Sequence, residues 1–445
     1  MKRILVIGAG RSASSLIKYL LDNAQSGDWM VTVGDMDMAL ARNKVGTHDR
    51  GRAVMFNGLD EQARLPYLQE ADLVISMLPA AFHAPIVRSC IAMKKPVITP
   101  SYLSDEIKGM HLSAVQNGVL VLNELGVDPG IDHMSAMEII DRLKDQGAAI
   151  TAFESFTGGL VAPVSDNNPW NYKFTWNPRN VVLAGQGGAV KFIQEGTYKY
   201  IPYHKVFRRT EIINIDGWGR FEGYANRDSL KYRSVYGLED IKTLYRGTLR
   251  RVGFCKAWDM FVQLGATDDS YVMEHTESMT YRQFFNSFLA YSPKDTVETK
   301  LKYYLNIQQD DGDLMEKLEY LGVFDNTVIG IKNATPAQIL QHILEQKWAL
   351  SPDDKDMTVM FHKFNYQLDG QDRELHASMV VIGEDQTYTS MAKTVGLPLA
   401  IAAKYMLQGK FSLTGVQLPI YREIYEPILK ELHQNGIEFI EKQIV

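Results

Sequence analysis

Cysteine is scarce in this chain. Two residues of 445, Cys90 and Cys255, stand far apart and in no CxxC pair. That excludes a disulfide scaffold, a zinc ribbon and a dithiol redox centre, and it fits a reducing compartment. Long apolar runs are also missing. No stretch reaches the roughly 18 uncharged apolar residues of a membrane helix, and the most apolar late segment, Leu397 to Leu407, is broken by Lys404. The first apolar run, Ile4 to Ile7, is too short for a signal-peptide core. There is no basic surplus: 47 Lys+Arg against 53 Asp+Glu leave −6, which argues against a dominant nucleic-acid or anionic-membrane surface. Internal repeats, low-complexity tracts and long charge blocks are absent as well. The expected location is the cytoplasm. With 45% hydrophobic and 22% charged residues, the chain can bury a sizeable core, and its length fits two or three domains.

The N-terminal part alternates short apolar runs with amphipathic stretches. The runs are Ile4–Ile7, Met30–Val33, Ala53–Phe56, Leu73–Met77, Val97–Thr99 and Val119–Leu122. Apolar runs without polar alternation suit parallel strands buried on both faces, and strands alternating with helices predict right-handed crossovers in a doubly wound α/β sheet. The pattern changes after Asp128-Pro129-Gly130, with a helix predicted from Ile131 to about Gln146. Residues 151–251 are rich in Gly, Tyr and Arg and read as strands; 256–350 read as mostly helical. Thr358–Phe364 and Leu375–Ile382 form a predicted hairpin through Leu368-Asp369-Gly370-Gln371. Two helices, about 390–407 and 421–435, follow.

Gly8-Ala9-Gly10-Arg11-Ser12-Ala13 follows the first strand and opens a helix. It fits G-x-G-x-x-A: Gly8 for the tight turn, Gly10 for close backbone approach to a pyrophosphate, Ala13 for helix–strand packing. The helix N-terminus offers its N–H groups to phosphates. Asp35 ends the second strand at the distance where a carboxylate takes the adenosine ribose hydroxyls and repels a 2′-phosphate. The reading is therefore NAD over NADP, with Met36 beside it. Asp37 is an alternative partner, and Arg11 could meet a 2′-phosphate. The fourth strand ends in Ser76-Met77-Leu78, whose backbone would face the nicotinamide ribose at the sheet's carboxyl edge; Leu125 and Val127 are assigned to the cofactor too. His83 reads as a helix N-terminal packing residue rather than an acid or base.

Denser motifs follow in order: Pro100-Ser101-Tyr102, Asn123-Glu124-Leu125-Gly126-Val127-Asp128-Pro129-Gly130-Ile131-Asp132-His133, Asn168-Pro169-Trp170-Asn171-Tyr172-Lys173-Phe174-Thr175-Trp176, Tyr224-Ala225-Asn226-Arg227-Asp228-Ser229, and Tyr245-Arg246-Gly247-Thr248-Leu249-Arg250. Together they resemble the saccharopine dehydrogenases of the glutamate-forming type, also called saccharopine reductases, over nearly the whole chain. The resemblance implies a Rossmann domain of residues 1–128 completed by about 390–445. It implies a mixed α/β substrate and dimerisation domain of 129–255 and about 351–389, and a helical subdomain of 256–350.

The implied reaction oxidises the secondary amine of saccharopine with NAD(P) to an imine, which water hydrolyses to glutamate and 2-aminoadipate semialdehyde. A site for it must hold three carboxylates and an ammonium and move protons. By resemblance, Arg227 and Arg246 bind carboxylates, as planar guanidinium forks suit; Thr248 adds a hydroxyl; Ser101, Tyr102 and Asp128 contact substrate. Tyr102, Asp128 and His133 are the proton-transfer candidates. Thr157 stands where the family often carries a cysteine, so a thiol-dependent mechanism is not expected. No metal is implied, and a homodimer is. Two rival readings are a carboxynorspermidine dehydrogenase-like Schiff-base reductase, disfavoured by the two arginines, and a non-catalytic nicotinamide-binding regulator, disfavoured by the dense polar second half. The charge average also hides a split: residues 205–256 hold 12 Lys+Arg and 6 Asp+Glu, a local excess around Arg227 and Arg246.

Overall fold

Each of the six N-terminal apolar runs is a strand: β1 (Lys2–Ile7), β2 (Trp29–Asp35), β3 (Gly51–Met55), β4 (Leu73–Ser76), β5 (Val97–Ile98) and β6 (Leu120–Leu122). Later strands are β7 (Ala149–Val161), β8 (Val190–Gln194), β9 (Thr197–Ile201), β10 (Thr210–Ile215), β11 (Gly219–Ala225), β12 (Thr243–Arg251), β13 (Asp356–Leu368), β14 (Gln371–Ile382), β15 (Gly415–Gln417) and β16 (Ile440–Gln443). The computed structural model describes residues 1–308 and 311–444. Positions 309 and 310, within the expected helical subdomain, and 445, within the expected C-terminal segment, lie outside the described residues. Two compact units form: Met1–Ile150 with Asn365–Val445, and Thr151–Phe364.

The first unit carries a seven-stranded sheet in the order β15-β6-β5-β4-β1-β2-β3, every pair of it parallel. Ile4–Ile7 are at most 2% exposed, which explains a run without polar alternation: both faces are covered. The strand order reverses between β1 and β4, where doubly wound sheets open a ligand crevice beyond their carboxyl ends.

β15 extends the sheet beside β6. The helix Ser390–Leu407 packs on the helix Ser14–Asp22. Glu431, on the helix Arg422–Gln434, ties this return together. Its carboxylate accepts from Lys404 Nζ at 2.6 and 2.5 Å, from Tyr405 Oη at 2.9 Å and from Tyr19 Oη. Burial opposes the charge, but these donors hold Glu431 below the usual carboxylate range.

The boundary after β6 differs from the one the sequence pattern marks. The helix Ile131–Asp145 belongs to the first unit, and so do residues 365–389. Ionic and phenolic contacts fix the helix there: Tyr425 Oη donates to Asp141 at 2.6 Å, and Arg422 meets Asp145 at 2.5 Å. Asp369 and Gly370, both with positive φ, close the predicted hairpin; β13 extends further at both ends than expected, and β14 starts earlier and ends at Ile382 as expected. In the second unit the sheet is mixed. β12 runs antiparallel to β11 and parallel to β7, with β10 beyond β11 and β13 beyond β7.

Among the described residues no helix is long and apolar enough to cross a membrane. Both cysteines are buried free thiols.

Candidate active site

The glycine turn is built as a phosphate cradle. Gly8 has φ +104°, and a Cβ there would press on the Met77 carbonyl oxygen at 3.2 Å. Gly10 is extended, with nothing within 4 Å of where its Cβ would lie. That open space is where a pyrophosphate approaches the backbone, so the residues present fit a dinucleotide. Ala13 is 1% exposed and packs inward. The helix Ser14–Asp22 has no side-chain cap at its N-terminus, which leaves N–H groups for an anion. Ser12 is half-buried at this turn, and Arg11 is exposed.

The two acidic residues after β2 separate by role. Asp37 caps the helix Met38–Val45, accepting from Ala39 N at 2.8 Å. Asp35 turns back to the glycine loop: Oδ2 accepts from Ala9 N at 2.7 Å and Oδ1 from Asp37 N at 2.9 Å. A carboxylate oxygen has lone pairs to spare after one bond, so Asp35 can still take ribose hydroxyls. Met36 beside it is 69% exposed.

The carboxyl ends of β4, β5 and β6 gather the next group. Ser76 is buried, and Met77 and Leu78 are half-buried. His83, 1% exposed, links Ser76 Oγ (2.8 Å to Nδ1) with Ser101 Oγ (2.8 Å to Nε2). Tyr102 Oη donates to Asp128 Oδ1 at 2.9 Å, so these two candidates meet directly. Leu125 and Val127 are buried in the interior. His133 is also fully buried, with Nε2 2.8 Å from Glu124 Oε2 and Nδ1 3.7 Å from Asp132. Glu124 in turn accepts from Leu103 N at 2.8 Å, fixing the chain just after Tyr102. Sequence reasoning missed Glu124, whose φ of +56° no local signal marks, and Asn123, a buried amide with no hydrogen-bond partner for Nδ2 or Oδ1.

In the second unit the sheet brings the other candidates together. Arg246 and Thr248 alternate by two along β12 and so share a face; Thr248 lies opposite Thr157 on β7 and Tyr224 on β11. Arg246 is 6% exposed, its guanidinium 4.3 Å from the Tyr232 ring centre, a cation–π distance. Arg227 follows β11, exposed and with φ +54°. Its neighbour Asn226 donates its N–H to the Arg246 carbonyl at 2.9 Å, which brings the two arginine backbones together. Thr157 Oγ1 is buried without a hydrogen-bond partner.

The basic excess of 205–256 is partly balanced from outside that segment, because Arg208 pairs with Asp259 at 2.8 Å and Lys256 with Asp311. Arg250 is buried against Tyr172, Tyr224 and Phe254. The run from Asn168 to Trp176 supplies Trp170, Tyr172 and Phe174 to an aromatic cluster with Phe254 and Trp348; its part is packing.

Residues 4–122 match the saccharopine dehydrogenase NADP binding domain, and residues 126–437 match the saccharopine dehydrogenase C-terminal domain. The chain belongs to the saccharopine dehydrogenase family. It is 31% identical over 451 residues to saccharopine dehydrogenase [NADP(+), L-glutamate-forming] of Saccharomyces cerevisiae, covering 100% of this chain and 99% of that one. The solved structure of apo histidine-tagged saccharopine dehydrogenase (L-Glu forming) from Saccharomyces cerevisiae superposes with a TM-score of 0.90 at 30% identity, over 100% of both chains. The mitochondrial alpha-aminoadipic semialdehyde synthase of Rattus norvegicus is 31% identical over 98% of this chain but only 47% of its own length. This member of the family therefore spans about half the length of that relative. Its α/β class, with a Rossmann-type parallel sheet and a second mixed sheet, is the one expected from the sequence.

Proposed function

We propose that this chain is a glutamate-forming saccharopine dehydrogenase: an NAD(P)-dependent oxidoreductase acting on the CH–NH bond of saccharopine in lysine metabolism. The full-length similarity to the fungal enzyme of that name carries the reading. When bound, the dinucleotide accepts the hydride from the carbon beside the secondary amine. The chain supplies the rest. Gly8, Gly10 and Ala13 shape the phosphate cradle, flanked by Arg11 and Ser12. Ser76, Met77 and Leu78 line the sheet edge, backed by Leu125 and Val127. Arg227, Arg246, Thr248 and Thr157 take the substrate carboxylates and polar groups. Ser101 takes another, and the Tyr102–Asp128 pair moves the amine proton. His133 supports this pair from behind through Glu124, since its burial removes it from the reacting atoms. Thr157 supplies a hydroxyl and no thiol. A homodimer and a cytoplasmic location belong to the same proposal, as does a separate helical role for residues 256–350. The purified protein should form NADH or NADPH from saccharopine at alkaline pH, where proton release is favoured; neither product with either cofactor would sink the reading.

The fungal relative is named for NADP(+), whereas Asp35 favours NAD here. The Asp35 carboxylate is held beside the glycine loop by Ala9 N and Asp37 N, where its charge would repel a 2′-phosphate. Wild type should show the higher kcat/KM with NAD. Asp35→Ser combined with Met36→Arg should move the preference toward NADP by roughly tenfold or more, about one charge-assisted hydrogen bond gained. A wild-type preference for NADP in steady-state assays would overturn the role of Asp35.

A further inference from the structure

Ser76, His83 and Ser101 come from the end of β4, the first turn of the following helix and the end of β5. Their side chains make one continuous hydrogen-bonded chain. It lies at the carboxyl edge of the parallel sheet, where such folds place their ligands. The hydrogens in this chain can be assigned. Ser76 Oγ is buried, and His83 Nδ1 at 2.8 Å is the partner the structure gives its hydroxyl. A buried hydroxyl hydrogen needs an acceptor, so Ser76 donates to Nδ1. Burial pushes the His83 imidazole down to about 4, so near neutral pH the ring is uncharged and carries one N–H. With Nδ1 accepting, that hydrogen is on Nε2. Nε2 faces Ser101 Oγ at 2.8 Å as its shortest partner; Thr99 Oγ1 lies against the ring, 3.0 Å from Nε2 and 3.3 Å from Nδ1. Thr99 Oγ1 also accepts from Ser101 N at 3.4 Å, closing the group. The oxygen of Ser101 is thus held from behind by a donor. Its own O–H is left to point forward, and Ser101 is half-buried at that edge.

We propose that His83 is a positioning residue: as the neutral Nε2–H tautomer it fixes the Ser101 oxygen and turns Ser101 Oγ–H outward as a donor to a substrate carboxylate. The proposal rests on the reading of Ser101 as a substrate contact in a saccharopine-oxidising enzyme. It extends the site to a residue whose sequence context marks it only for packing.

A double-mutant cycle on the full chain tests it. His83→Ala and Ser101→Ala should each raise KM for saccharopine about tenfold, as loss of a hydrogen bond to a charged group does, with KM for NAD little changed. The double variant should be no worse than Ser101→Ala alone, because His83 acts through Ser101. His83→Gln, whose amide N–H can replace Nε2–H, should restore most of the loss. Additive effects, or a change confined to KM for NAD, overturn the proposal. A second measurement needs neither turnover nor a variant: the imidazole nitrogen resonances of His83 in the wild-type protein at neutral pH. An Nε2–H tautomer supports the assignment; an Nδ1–H tautomer or an imidazolium overturns it. If wild type forms neither NADH nor NADPH from saccharopine, the functional reading fails by itself, and the tautomer still decides the role of His83.

Discussion

Replacing Arg246 with Met raises KM for saccharopine about 10- to 150-fold and leaves KM for NAD near its wild-type value. The magnitude is that of one lost charge-assisted hydrogen bond, about 1.5–3 kcal/mol. Arg246 is the stronger of the two arginine tests because it is buried in the middle of β12 and stacked on Tyr232. Its carboxylate bond would form in a dry setting, where charge pairing is screened least. Met keeps the apolar stem, so the strand packing of β12 is retained while the guanidinium is lost. Arg227→Met should act in the same direction but more weakly, since Arg227 is exposed to solvent. If steady-state kinetics give an unchanged KM for both variants, neither arginine touches the substrate.

Gly130→Ala lowers the stability of the first unit by about 4 kcal/mol or more, a fall in Tm of roughly 10 °C. Gly130 has φ +147°, a region closed to side-chain-bearing residues, and its added Cβ would lie 2.1 Å from the carbonyl oxygen of Gly126 and 2.3 Å from its nitrogen. Both neighbours are backbone and neither can swing aside. The loop they form is closed by Gly126 N to the Pro129 oxygen at 2.8 Å and Ile131 N to the Gly126 oxygen at 2.9 Å. It carries Asp128 and starts the helix Ile131–Asp145, so activity should fall with stability. Thermal unfolding of the variant checks this, and a Tm within a degree or two of wild type would show that the loop relaxes.

The sequence made part of this site legible and hid the rest for identifiable reasons. The six parallel strands announce themselves because strands buried on both faces must be apolar throughout. The glycine turn is equally visible, since Gly8 and Ala13 answer local steric demands and Gly10 leaves the backbone open to a ligand. β15 gives no such signal: three residues, Gly415–Gln417, are too few for a period, and what makes them a strand is the edge of β6. Asp35 and Asp37 look alike in the sequence, and only the start of the next helix assigns Asp37 to capping. His83 was readable as a packing residue, which its burial bears out, but its bond to Ser101 spans 18 positions and depends on where β5 ends. The pairing of Glu124 with His133 is hidden in the same way; the sequence offered for His133 only its place near a helix start, where capping and packing compete with proton transfer. The arginines were legible through the motif around them, not through charge, because Arg250 in the same strand is just as basic and is enclosed by aromatic rings.

The return of residues 365–445 to the first unit has a consequence for how the protein is made. On a ribosome the first 150 residues emerge together, but the strand that pairs with β6 and the helix that covers Ser14–Asp22 are encoded beyond the whole second unit. At roughly 5–20 residues per second, the gap lasts about 13–53 s. During that time the outer edge of β6 is unpaired, the kind of surface that recruits other chains, and the first helix lacks the cover that Gly396 brings against Leu16. The nucleotide cradle is therefore synthesised before the second unit and completed only after it.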